Sequence, residues 1–349
     1  MTDKTTLGIG IIGTGTIAPT HAQAVDSIPE AELVAACDIV ESRVVDFADR
    51  FGVRACTSAA EILADPKVQA VLVCTPPDSH CPLAEQAAAA GVHVMVEKPL
   101  TMDLQQADAA IKAAEQAGIK FGVIFQRRFW DAAQRARQAI DDGKIGKVIL
   151  GDCAVKWWRP KEYYDAEPWR GTWDREGGAV LVNQAIHAID MYQWLMGPID
   201  TVYGLWGNLS HPYIEAEDVG VAALRFKNGA LGTIEATVSV NPQLGSKIAI
   251  HGSNGATLGI LEHPEGSLAI NDVWTIPGEE KEADKLREEA SRSEHDWGSY
   301  HTQQIRDFVL AITEDREPAV TAKEGRKSIE IVKAIYESAR IGRPVSLPL

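Results

Sequence analysis

The chain has 349 residues, 45% hydrophobic and 24% charged, the composition of a folded protein long enough for two domains rather than a disordered or fibrous one. With 34 Lys and Arg against 49 Asp and Glu, its net charge of −15 argues against general binding to nucleic acid or an anionic membrane, which both need a basic face. No apolar run reaches the roughly 18 residues of a membrane span, and the opening MTDKTTLGIGIIG has no export-signal pattern, so a cytoplasmic protein is expected.

Over the first 126 residues strands and helices alternate. LGIGIIG (7–13) is a short apolar strand ending in glycine, and a helix follows from about Thr16. AELVAACD (31–38) reads as strand, and ESRVVDFADRFG (41–52) as an amphipathic helix stopped by glycine. Strands at 70–76, 92–98 and 120–126 alternate with helices at 80–91 and 104–118. Apolar strands separated by helices predict a parallel sheet covered on both faces. Beyond 127 a helix at about 129–142 leads into a strand at GKVILGDCAVKWW. After the apolar helix around 178–196 come the long strands DTVYGLWG, VGVAALRF, LGTIEATVSV, KIAIHGS and ATLGILE. Asn228-Gly229 between alternating strands is a hairpin signal. Residues 279–296 are highly charged and predict an exposed loop or helix, and helices at about 299–313 and 323–341 end the chain. The fold class is α/β. A dinucleotide-binding domain is expected over 1–126, and a substrate-binding and oligomerisation domain with a large, open, mostly antiparallel sheet over 127–349.

Cys37, Cys56, Cys74, Cys81 and Cys153 form no CxxC pair, and several lie in apolar runs. Buried free thiols are expected, and no metal site.

Three patterns carry chemistry. GTGTIA (13–18) joins the first strand to the first helix and fits G-x-G-x-x-[GA]. Gly13 makes the turn, Gly15 admits a pyrophosphate to the backbone, and Ala18 allows close helix packing. Asp38 ends the second strand, where a carboxylate binds both hydroxyls of an adenosine ribose and repels a 2′-phosphate. NAD is therefore favoured over NADP, although Arg43 nearby is able to pair with such a phosphate. Glu97-Lys98-Pro99 sits where a strand leaves the sheet, the end at which parallel sheets bind ligands. Within GAVLVNQAIHAIDM, Asn183, His187 and Asp190 recur at spacings of four and three, one face of an α-helix. That face is either structural or chemical.

GTGTIA, TPPDSH (75–80), EKP (97–99), GG-x4-N-x3-H-x2-D (177–190) and the closing SIEIVKAIYESARIGRPVSLP resemble the Gfo/Idh/MocA family of NAD(P)-dependent oxidoreductases over essentially the whole chain. The resemblance implies an N-terminal Rossmann domain and a C-terminal α/β domain. It implies that Gly13, Thr14, Gly15, Thr16 and Ile17 line the pyrophosphate turn and that Asp38 and Arg43 sit by the adenosine. Thr75, Pro76 and His80 would border the cofactor cleft, Glu97, Lys98 and Gln126 the nicotinamide, and His187 would face the carbon that gives up hydride. The family's more familiar pattern has aspartate four residues before the histidine. Here that position is Asn183, which cannot take a proton at neutral pH, so proton transfer falls on Lys98 and His187. Asp190 either orients His187 or is structural.

The segment WWRPKEYYDAEPWRGTWDREGG (157–178) is dense in aromatic and basic residues, which stack on sugar rings and pair with their oxygens or a carboxylate. Arg159, Tyr163, Tyr164, Trp169 and Arg170 are its substrate candidates. Trp169 and Arg170 would also lie near cofactor, by resemblance. Arg127 and Arg128 are weaker candidates. The expected protein is an NAD-dependent dehydrogenase of a sugar, cyclitol or sugar derivative. The alternatives are a glycosidase that retains NAD and works by transient oxidation, and a non-catalytic dinucleotide-binding regulator. The open sheet predicts a homodimer or homotetramer.

Overall fold

The computed structural model describes residues 6–292 and 298–349. The charged stretch begins as a helix, Glu280–Arg292, and its end at 293–296 lies outside the described residues, as do residues 1–5 of the opening segment. The chain divides into two units. One comprises Met1–Gln126 and Gly298–Arg326, the other Arg127–Trp297 and Lys327–Leu349.

In the first unit six parallel strands run β1 (Leu7–Ile12), β2 (Ala31–Cys37), β3 (Arg54–Cys56), β4 (Ala70–Val73), β5 (His93–Val96) and β6 (Phe121–Val123). Their spatial order is β3-β2-β1-β4-β5-β6. The strand order reverses between β1 and β4, and in open α/β sheets the crevice beyond the carboxyl ends at such a point binds ligands. The cofactor residues expected in this unit follow the ends of β1, β2, β4, β5 and β6.

The single domain boundary expected after residue 126 is corrected by the return of residues 298–326 to this unit. Burial explains it. On the helix Ser299–Thr313, Ile305, Phe308 and Val309 are 0% exposed and share one core with Ile9, Ile11, Val25 and Leu72. The Gln304 side chain accepts from the Phe125 N–H at 2.9 Å and donates to the Val123 carbonyl at 2.7 Å. Both groups lie at the end of edge strand β6, where no further strand satisfies them.

The second unit holds a mixed sheet of β7 (Val148–Lys156), β8 (Ile199–Gly207), β9 (Val219–Phe226), β10 (Leu231–Thr237), β11 (Gly245–Gly252), β12 (Thr257–Glu262) and β13 (Val345–Ser346). The order is β12-β11-β7-β10-β9-β8-β13, and every neighbouring pair is antiparallel except β7 with β10. The expected hairpin joins β9 to β10, with Gly229 at φ +90°. One sheet face packs on the helix Ile186–Met196, whose Tyr192 hydroxyl donates to the Gly151 carbonyl at 2.7 Å. A β-carbon at Gly232 would lie 2.1 Å from that hydroxyl, so this close approach requires glycine. The opposite face leaves Tyr203, Leu205, Val221 and Leu231 exposed by 40–52%.

All five cysteines are free, four of them buried. Among the described residues no helix is long and apolar enough to cross a membrane, and no cluster of metal-ligating side chains occurs.

Candidate active site

The glycine turn is built for close approach. Gly13 has φ +92°, and a β-carbon on it would lie 2.8 Å from the Thr75 methyl and 2.9 Å from the Cys74 carbonyl carbon. A β-carbon on Gly15 would meet nothing within 4 Å, which leaves its backbone open to a ligand. Thr14, Thr16 and Ile17 complete the turn ahead of the helix Ala18–Asp26, whose first N–H groups face the same crevice end.

Asp38 is 9% exposed and holds the turn from the neighbouring strand. One oxygen accepts from the Thr14 amide at 2.8 Å and the Thr14 hydroxyl at 3.0 Å, and the other from the Val40 amide at 2.9 Å. A carboxylate has about four lone-pair positions, so these bonds leave room for a ribose hydroxyl. Arg43 is exposed on the next helix. Ile39, 93% exposed beside Asp38, offers an apolar surface for a flat ring, a feature the sequence reading missed because lone exposed aliphatics are common.

At the end of β5, Glu97 accepts from the Lys98 amide at 3.1 Å and pairs with His21 at 2.7 Å. His21 in turn packs edge-on against His301. Burial alone would raise the Glu97 carboxyl. The bond and charge of His21, with the charges of His301 and Lys98, outweigh it and hold that carboxyl down at about 2. Lys98 therefore stands half-buried beside a fixed negative charge. Neither histidine had a sequence signal: each is a lone histidine on a helix.

His80 was expected to border the cofactor cleft. It is 0% exposed, with Nδ1 2.8 Å from the Pro99 carbonyl oxygen and Nε2 2.8 Å from that of Thr75. Burial lowers its pKa against the pull of the two carbonyls. It ties the Thr75 backbone to that of Pro99, the residue after Lys98. Pro76 is exposed beside it. Gln126, 9% exposed, follows β6, and its amide oxygen is buried with no partner among the described residues. The open Gly15 backbone and this orphaned acceptor fit a dinucleotide with a carboxamide at its reactive end.

In the second unit, the segment predicted as one continuous α-helix is a π-helical turn, Val180–Gln184, followed by the α-helix Ile186–Met196. The π turn closes through an i→i+5 bond from the Ala185 amide to the Val180 carbonyl at 2.8 Å. Glu217, fully buried, holds its start. It accepts from the Ala179 amide at 3.0 Å, the Leu181 amide at 2.9 Å and the Tyr336 hydroxyl at 2.8 Å, while burial pushes its carboxyl up.

The polar stripe then separates. Asn183 is half-buried and donates to Glu176 at 2.5 Å. His187, in the first turn of the α-helix, is 8% exposed. Asp190 is 1% exposed and accepts from Arg128 Nε at 2.6 Å, Arg128 Nη2 at 2.7 Å and the Ser328 hydroxyl at 2.9 Å. It is the anionic half of a buried bidentate ion pair. Arg127 is likewise buried, paired with Glu262 at 2.7 Å. Neither arginine is a solvated helix-end charge.

The aromatic segment also divides. Tyr163 is half-buried, and its hydroxyl accepts from Gln184 Nε2 at 3.1 Å. The guanidinium of Arg170 lies 4.1 Å and that of Arg159 5.1 Å from its ring centre. Arg170 also sits over Trp169 at 5.6 Å. Arg159 makes a two-bond pair with Glu265 at 2.7 and 2.5 Å. Tyr164 departs from its expected substrate role: it is 6% exposed, in a core cluster with Ala179, Ile214 and Ala216. Tyr163 and Tyr164 are neighbours on a single helical turn, Lys161–Asp165, so they point in different directions and only one faces outward.

A parallel sheet in this order, a glycine turn open to a pyrophosphate and an acid at the second strand end define a Rossmann nucleotide-binding unit of the NAD-dependent oxidoreductase class. A family model described as "Oxidoreductase family, NAD-binding Rossmann fold" matches residues 7–125, and one described as "Oxidoreductase family, C-terminal alpha/beta domain" matches residues 137–347. The chain belongs to the Gfo/Idh/MocA family of oxidoreductases, enzymes that use NAD and act on CH–OH groups. It is similar to the WlbA dehydrogenase of Bordetella pertussis, solved with NADH and UDP-GlcNAcA (33% identity, TM-score 0.90, covering 100% of this chain and 99% of that one). It is 27% identical to a myo-inositol 2-dehydrogenase of Thermotoga maritima over 97% of this chain and 98% of that protein. It is also 27% identical to an NAD(+)-dependent scyllo-inositol 2-dehydrogenase of Bacillus subtilis over 97% and 95%.

Proposed function

We propose that the protein oxidises a secondary ring hydroxyl of a sugar, cyclitol or sugar nucleotide, with Lys98 taking the hydroxyl proton and His187 facing the carbon that loses hydride. The observation that carries this reading is Lys98 at the carboxyl end of β5, the end at which parallel sheets bind ligands, with its backbone amide anchored on the Glu97 carboxylate. Bound NAD supplies the hydride acceptor. Lys98 has the further task of stabilising the developing alkoxide with its charge. Asn183 hydrogen-bonds a substrate hydroxyl and is not the base. Gly13, Thr14, Gly15, Thr16 and Ile17 hold the pyrophosphate, Asp38 the ribose, and Thr75, Pro76 and Gln126 the nicotinamide end.

Acidic sugar nucleotides are the first substrates to test. The WlbA dehydrogenase binds one, and Arg159, Arg170 and Tyr163 together offer cations and an aromatic face suited to an anionic sugar. Purified protein with NAD⁺ and a panel of UDP-uronates, inositols and free sugars should give absorbance growth at 340 nm with at least one member. Lys98→Ala should lower kcat by about a hundredfold or more while NAD affinity stays within a few-fold. Turnover retained in that variant would refute the role of Lys98. We also propose self-association through the outer face of the second unit's sheet, where Tyr203, Leu205, Val221 and Leu231 expose apolar surface. Sedimentation should report a dimer or tetramer that Leu205→Asp weakens, and a wild-type monomer at micromolar concentration would contradict this.

A further inference from the structure

Glu176 lies outside the residues the sequence singles out, yet it touches the one half-buried member of the polar stripe. It is 2% exposed. One oxygen accepts from the Gly171 amide at 2.5 Å, and the other from Asn183 Nδ2 at 2.5 Å. Gly171 is itself fixed: its carbonyl accepts from the Glu215 and Ala216 amides, both at 2.9 Å, and a β-carbon on it would lie 2.7 Å from Ile214. The carboxylate is thus mounted on a rigid turn rather than on a mobile surface.

We propose that Glu176 is the positioning residue of Asn183, fixing the direction of its amide and dictating that position 183 carries an amide rather than an acid. An ionised carboxylate only accepts hydrogen bonds, so the amide nitrogen must face Glu176. The Tyr163 hydroxyl, 3.4 Å from the same nitrogen, reinforces that orientation. The planar amide then turns its carbonyl oxygen away from Glu176. In the dehydrogenase reading, on which the catalytic part of this proposal rests, that oxygen is the acceptor offered to a substrate hydroxyl. An aspartate at 183 would bring its carboxylate within hydrogen-bond distance of the buried Glu176 carboxylate. Such a pair cannot both ionise and shares one proton.

The test compares Asn183→Asp, Glu176→Gln and the double exchange with the wild type. The first readout needs no substrate: the melting temperature from pH 4.5 to 8.5. In Asn183→Asp the shared proton raises one folded-state carboxyl pKa above its unfolded value. The stabilisation this provides is full below the unfolded value and is lost as pH rises through the folded one. The melting temperature of Asn183→Asp should therefore fall relative to wild type towards alkaline pH, by about 5 °C or more. The double exchange restores one acceptor opposite one donor and should remove that pH dependence. The second readout is kcat with NAD⁺ and a substrate from the panel. Relative to wild type, Asn183→Asp should lose activity roughly tenfold per pH unit above the shared pKa, and the double exchange should recover the wild-type pH profile. If Glu176 merely braced the Gly171 turn, Glu176→Gln would lower the melting temperature without altering the pH response at position 183. A melting difference for Asn183→Asp that is flat across pH, with no rescue in the double exchange, overturns the proposal. A pH-dependent difference in a protein that oxidises nothing on the panel upholds the Glu176–Asn183 coupling and sinks the dehydrogenase reading instead.

Discussion

Asp190→Asn separates a structural acid from a catalytic one. Asp190 is 1% and Arg128 3% exposed, and they meet through two short bonds at 2.6 and 2.7 Å, while the Ser328 hydroxyl donates to Asp190 at 2.9 Å. Removing the negative charge takes from a buried guanidinium the carboxylate that meets it through two bonds. Breaking a buried pair in this way costs about 3–5 kcal/mol. In a unit of about 190 residues each kcal/mol moves the melting temperature by about 2–4 °C, so a loss of about 6–20 °C is expected. Scanning calorimetry measures it. At a temperature where the variant stays folded, kcat should remain within about threefold of wild type, because in this account Asp190 does not act on His187. Replacing both partners, Arg128→Met with Asp190→Leu, removes both desolvation penalties and should recover most of the loss. A melting temperature within about 2 °C of wild type together with a hundredfold drop in kcat would refute the reasoning and return Asp190 to the chemistry.

Gly13→Ala places a β-carbon at φ +92° and against the Cys74 carbonyl, so NAD affinity by fluorescence titration should weaken tenfold or more, and unchanged binding would contradict the role of the turn. Asp218 is fully buried. Burial would raise its carboxyl, but the Leu209 amide, His211 and Ser210 hold it at about 2 instead of 3.8. Its lowered folded-state pKa contributes roughly 2–3 kcal/mol above pH ~4, lost as pH falls through about 2. Urea denaturation from pH 6 down to 2.5 should show that decline, and Asp218→Asn, less stable at pH 6, should show a shallower one. Glu217→Ala strands two amides and the Tyr336 hydroxyl, and should lower stability by at least about 3 kcal/mol in the same assay.

The nucleotide-binding unit was largely legible because its signals are local. A glycine turn between strand and helix, an acid at a strand end and a lysine before proline each follow from neighbouring residues. Strand β3 was missed because three residues carry no period. The second unit was legible as strands and a hairpin, whereas its polar interior was not. Nothing in the spacing of Asn183, His187 and Asp190 shows that a π turn intervenes. Nor does it show that Asp190 closes on Arg128, 62 residues away, and Asn183 on Glu176. Those partners are chosen by burial, which forces each polar group to find a mate wherever the fold brings one. The same blindness made Tyr164 look like its neighbour Tyr163.

The helix Ser299–Thr313 imposes an order on the birth of this protein. Its Ile305, Phe308 and Val309 fill the core beneath β1 and β4, so the segment made first cannot close its interior until one of the last parts made arrives. At about 5–20 residues per second, the intervening stretch of about 170 residues takes roughly 10–30 s to synthesise. Through that interval the nascent sheet presents an apolar face and an unsatisfied edge to the cell. Chaperone demand and proteolytic sensitivity should therefore peak before the C-terminal seventh emerges, and truncations that spare the whole glycine turn but remove this helix should still be unstable.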